Sequence, residues 1–179
     1  MTAARITPQI IADILKKGMA LKDEQVWIYN QRRAIPEDKR LYIVVGMVGI
    51  KPYGNNNRNA WIATTGPSGA PGGEYQDQLT QYMLETLSIN LFSYTPECLQ
   101  RYHEVLGSLR STYSQQLQEA NGIKISELPT AINDVSSIEG AALLYRIAIT
   151  LPIFRKYDMI LSADYYDDID GFSIEEIEQ

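Results

Sequence analysis

The stretch GAALLYRIAITLPIFRKY, residues 140–157, constrains the fold more than any other part of the chain. Leu143, Tyr145, Ile147, Ile149, Leu151 and Ile153 occupy one parity, against Leu144, Arg146, Ala148, Thr150 and Pro152 on the other. A period of two sustained this far predicts a long β-strand with one buried face. Such a strand needs partner strands and a covering layer, so the rest of the chain must supply both.

It does so in a legible order. Thr7-Pro8 reads as a hydroxyl N-cap followed by proline in the first turn, with Ile10, Ile11, Ile14 and Leu15 as one apolar stripe and Gly18 as the stop. VWIYN (26–30) and RLYIVVGMVGI (40–50) read as strands, the second so apolar that both its faces should be covered, with RRAIPEDK as the turn between them. KPYGNNNRN (51–59) and TGPSGAPGGEY (65–75) are rich in Gly, Pro and Asn and read as flexible loops or a projecting hairpin. Residues 78–92 form a further strand, polar in its first half and ending in alternating Leu87, Ile89 and Leu91. Thr95-Pro96 then opens a helix running to about Ala120, with Leu99, Tyr102, Leu106, Leu109, Tyr113 and Leu117 along one face. IKISEL and TAINDV add short strands, divided by Pro129. The order helix, strands, helix, strands predicts an α+β domain over 1–162: an antiparallel sheet with two helices on one face. An extended acidic C-terminal arm follows over 163–179.

The chain is long enough, at 179 residues, to bury a core without staples. No apolar run approaches the ~18 residues of a membrane span, and the N-terminus carries no secretory pattern. A single cysteine, Cys98, excludes an internal disulfide and suits a reducing compartment. Net charge is −6, yet seven of the 22 acids lie in the last sixteen residues, leaving 15 acids against 16 bases elsewhere. The body is therefore nearly neutral. Its basic pairs, Lys16–Lys17, Arg32–Arg33 and Lys39–Arg40, are too dispersed to displace counterions along a nucleic acid.

Chemistry finds little purchase. Neither glycine-rich segment has the spacing of a phosphate cradle. Cys98 and its nearest imidazole, His103, are five positions apart on one helix, which turns them to different faces, and one histidine with one cysteine cannot build a zinc site without carboxylates. No G-x-S-x-G elbow is present. Catalytic residues, cofactor and metal are all expected to be absent. The acidic end, DYYDDIDGFSIEEIEQ, superficially matches a calcium loop when Gly171 is set on the invariant glycine. Tyr166 and Ile177 then fall where the first and last carboxylates belong. A calcium- or metal-responsive binding protein using this tail stays as the alternative to a partner-docking segment.

Composition favours docking. Twelve tyrosines are many for this length, and tyrosine suits interfaces because its ring buries area while its hydroxyl stays satisfied. The candidate contact residues are Lys51, Tyr53, Asn55, Arg58, Tyr75 and Tyr82 in the central segments. In the acidic end they are Tyr165, Tyr166, Ile169, Phe172 and Ile174, interleaved with the carboxylates.

The segments VWIYNQRRAIPEDKRLYIVVGMVGIKPYGNN, LSINLFSYTPECLQRYHEVLGSLRSTYSQQLQEANGIKI, LPTAINDVSSIEGAALLYRIAI and YYDDI resemble a family of tailed-bacteriophage neck proteins, the tail terminator or tail-completion group. The resemblance spans roughly Val26 to Asp168. It implies a tail-terminator-like fold and a virion structural role: a ring, commonly hexameric, that caps the tail tube and joins it to the head connector. The partners implied are other copies of the chain, the tube or sheath protein and the neck proteins, with DNA passing through without specific binding. Assembly in the host cytoplasm is implied as well. A ring joining tube to baseplate shares the same fold pattern and is the neighbouring alternative.

Overall fold

A computed structural model of the chain describes residues 5–29, 36, 38–65, 71–126, 129–139 and 142–162, with the backbone alone described over 57–65, 71–78, 139, 142 and 160–162. The fold is mixed α+β. Helix α1 (Thr7–Gly18) precedes strands β1 (Val26–Ile28), β2 (Tyr42–Thr65) and β3 (Pro71–Ser93). Helices α2 (Glu97–Leu109) and α3 (Thr112–Asn121) follow, then β4 (Ile123–Ile125), β5 (Ala131–Asp134), β6 (Ser137–Glu139) and β7 (Ala142–Ser162). The seven strands run in the order β1-β2-β3-β7-β4, with β5 and β6 also paired to β7.

The alternation read in 140–157 is realised. Ile147, Ile149, Leu151 and Ile153 of β7 are buried beside Leu87, Ile89 and Leu91 of β3 and Ile43 and Val45 of β2. Ile10, Ile11, Ile14 and Leu15 of α1 and Cys98, Val105 and Leu109 of α2 join the same core. Each apolar residue removed from water there contributes on the order of 1.5–3 kcal/mol. The opposite parity serves a second, smaller cluster of Trp27, Tyr42, Phe92 and Leu144, whose three aromatic rings lie 5.2–5.8 Å apart.

Several expectations require correction. The sheet is mixed, because β1 runs parallel to β2, pairing Val26 with Ile43 and Ile28 with Val45. RRAIPEDK, residues 32–39, is expected as a turn between them, but strands paired in parallel need a longer crossover connection instead; residues 30–35 and 37 lie outside the described residues. The helix read from 95 to 120 is two helices. Ser111 ends one and caps the next: its Oγ donates to the Ser108 carbonyl (2.8 Å) and accepts from the Ser114 N–H (3.2 Å). The buried stripe of α2 is Cys98, Val105 and Leu109, which turns Tyr102 outward. Thr7 does not cap α1. Ile6 holds that position, and the Thr7 hydroxyl is taken by Arg155 at 2.8 Å.

Of the two readings of 51–59 and 65–75, the loop is overturned and the hairpin is the one the strands fit: residues 51–59 continue β2, and β2 neighbours β3 in the sheet. Likewise Thr65 ends β2 and residues 71–75 belong to β3, while 66–70 lie outside the described residues. Among the described strands β2 has no partner on its β1 side beyond Val45, and an edge strand is where proline is tolerated. The chain divides into two compact units, Met1–Gly54 with Gln81–Tyr157, and Asn55–Thr80 with Asp158–Gln179; the expected acidic arm over 163–179 lies outside the described residues. In the second unit Thr80 donates to Asp158 at 2.7 Å.

Candidate functional site

The expectation that both faces of 40–50 are covered fails at Met47. From that residue outward β2 stays apolar but exposed: Val48 is 66% exposed, Ile50 51% and Tyr53 70%. Among the described residues its backbone is open too. The last bond on the β1 side runs from the Tyr29 N–H to the Val45 carbonyl (3.0 Å), and no described strand pairs there further along. An apolar strand edge with unpaired N–H and C=O groups is a template for another chain.

Beside this edge, within the first unit, lies an apolar groove of about 490 Å³. Tyr53 of β2 and Phe154 of β7 meet edge to face with ring centroids 5.3 Å apart, and Tyr82 of β3 and Ile123 of β4 complete its apolar lining. Lys124 and Lys156 supply its charge, Arg155 borders it from the core-facing parity of β7, and none of its lining residues is a carboxylate. Such a surface can hold an apolar or aromatic segment and favours one that carries negative charge.

Arg155 is the unusual member. It is 9% exposed, and its partners are the Thr7 hydroxyl (2.8 Å), the Arg5 carbonyl (2.9 Å) and the face of the Tyr157 ring (4.8 Å). None is a carboxylate. Tyr157 in turn donates its hydroxyl to Glu85 Oε1 at 2.9 Å, while Glu85 Oε2 is buried without a partner. Burial first, then the hydrogen bond and charge of Glu85, push the Tyr157 phenol above its ordinary value. Both charged residues sit on core-facing parities, Arg155 after Ile149, Leu151 and Ile153, and Glu85 before Leu87, Ile89 and Leu91. Sequence reasoning passed over them. A charge continuing a buried parity was the available signal.

Of the sequence-derived contact residues, the structure brings Tyr53 and Tyr82 together in the groove. Lys51 and Asn55 are exposed on β2, and Asn55 belongs to the second unit. Arg58 and Tyr75 lie within β2 and β3, where only the backbone is described. Tyr165, Tyr166, Ile169, Phe172 and Ile174 lie outside the described residues. Val48, Ile50, Phe154, Lys124 and Arg155 were not anticipated.

Elsewhere the surface offers little chemistry. A hollow of about 400 Å³ between the α2–α3 pair and β4 is lined by amides, Arg110, Lys124 and apolar residues, with no carboxylate, histidine or cysteine. A third hollow contains Asp13, which pairs with Arg5 and Lys16. Cys98 is fully buried, and burial raises its thiol to about 11, far from a reactive thiolate. His103 is exposed, so the two do not meet. Among the described residues no three His, Cys, Asp or Glu side chains are placed to hold a metal ion, and no helix is long and apolar enough to cross a membrane. In comparisons with known proteins, no family model and no curated protein matches the chain.

Proposed function

We propose that the chain is a non-enzymatic structural subunit of a tailed-bacteriophage virion, a neck or tail-terminator protein of the tail-terminator fold. In this reading it forms a ring that caps the tail tube and joins it to the head connector. Its partners are its own copies, the tube or sheath protein and the neck proteins. It is assembled in the host cytoplasm, and DNA passes without specific binding.

The observation that carries the reading is the outer part of β2. Monomeric proteins blunt long apolar edges with charge, bulges or covering elements, whereas here Val48, Ile50 and Tyr53 stand exposed on an edge that no described strand pairs beyond Val45. A cyclic ring supplies the missing cover, because each subunit meets its neighbours through two different surfaces. The sequence resemblance over Val26–Asp168 supplies the class of assembly. A near-neutral body is also suited to a conduit that must not grip phosphate.

The test is the copy number of the chain in gradient-purified virions, measured by quantitative mass spectrometry. About six copies per particle is the expected outcome for a terminator ring. About twelve would move the subunit to the head-side connector, and absence from the particle would overturn the structural role.

A further inference from the structure

The groove between Tyr53, Tyr82 and Phe154 specifies its occupant in two ways. Its aromatic walls call for apolar side chains, preferably rings, which pack edge to face against Tyr53 and Phe154. Its charge calls for carboxylates: Lys124 is exposed on its wall, Lys156 lies beside it, and no lining residue is a carboxylate. A recess with basic residues and no acid in its lining favours an incoming carboxylate. The occupant is therefore an acidic segment interleaved with aromatic and aliphatic residues.

The chain contains one such segment. Residues 164–179 hold seven acids and no base, with Tyr165, Tyr166, Ile169, Phe172, Ile174 and Ile177 between them. We propose that the C-terminal segment of a second copy of this chain lies in the groove, its carboxylates facing Lys124 and Lys156 and its apolar side chains entering between Tyr53 and Phe154. The choice of a second copy rests on the ring reading, since a ring closes through two different surfaces on each subunit, and the groove and the acidic segment are such a pair. The complementarity is also lopsided within one chain, an acidic end on a body of 15 acids and 16 bases, as expected if the end is built for a basic recess.

The experiment uses the full chain with the photoreactive residue benzoyl-phenylalanine in place of Tyr82, which is half-exposed on the groove wall. After irradiation, a denaturing gel separates links between chains from links within one chain, and mass spectrometry identifies the joined peptides. The expected result is a ladder of dimers and larger species in which position 82 is joined to residues 163–179. Its yield should fall about tenfold or more in Lys124→Glu, where like charges are brought together, and recover when Asp167 and Asp168 are both changed to Lys in that background. Phe154→Ala, at a half-exposed site, should weaken the link without charge reversal. Links within single chains would overturn the second copy as occupant. Links to other segments, or none, would overturn the docking altogether. Light scattering on the same samples separates the two readings: an oligomer without the link defeats the docking alone, and a monomer without it defeats the ring as well.

Discussion

Ile43 and Val45 of β2 are fully buried in the core shared with α1 and α2, while Val48 and Ile50, a few residues along the same strand, are 66% and 51% exposed. The two stretches are equally apolar. What differs is the cover. A helix of 12 or 13 residues, the length of α1 and of α2, spans only about 18–20 Å. A strand of 24 residues has a contour of about 80 Å. Two short helices can therefore cover one face of one part of so long a strand; Val48 and Ile50 fall beyond them and on the other face, the parity of Tyr42, and need cover from elsewhere. The covered part explains why the chain folds, and the bare part is the surface on which the proposed assembly rests.

The comparison can be broken by substitutions matched across it. Ile89→Ala or Ile149→Ala, each at a fully buried position, should cost about 2–5 kcal/mol through lost burial and the cavity left behind. Val48→Ala in the dissociated chain should stay within about 0.5 kcal/mol. Urea denaturation of each variant reads both values, and equal costs would erase the distinction. The next effect lies at the margin of the core. Tyr157→Phe removes the hydroxyl that serves Glu85, leaving a buried carboxyl with neither oxygen bonded, and should cost about 1–3 kcal/mol. Gly18→Ala sharpens the helix side of the comparison. A Cβ there would stand 2.3 Å from Ser108 Oγ and 2.4 Å from Ser108 Cβ, so α1 and α2 would have to move apart, at about 1–3 kcal/mol; Ser108→Gly in the same chain should return part of it. A smaller effect than these last two is expected at Gly122. It ends α3 with φ +61°, and Gly122→Ala should lower the thermal midpoint by the equivalent of about 1 kcal/mol.

How far these features could be read in advance depends on whether they are local. The alternation in β7 and the apolar stripe of α1 are properties of the segment itself, and both emerged as expected. The parallel docking of β1 depends on where a strand finds its partner, which no pattern within VWI encodes. The break between α2 and α3 turned on one serine making two hydrogen bonds, inside a sequence whose apolar spacing continues through it. For the candidate site, Tyr53 and Tyr82 were legible from composition. The basic residue Arg155 and the acidic Glu85 were legible in principle, as charges set on buried parities. The exposure of Val48 and Ile50 was not, because hydrophobicity reports a need for cover and says nothing of which chain provides it.

The central claim is that the bare part of β2 is covered by another subunit, and the mass of the intact chain in solution tests it most directly. Light scattering at micromolar concentration should give a closed assembly near six copies of the 20.2 kDa chain. With Val48 and Ile50 both changed to Asp, the account predicts a folded monomer whose stability matches that of the dissociated parent within about 0.5 kcal/mol. A parent chain that stays at 20.2 kDa at every concentration, or an assembly that survives both charges, would contradict it.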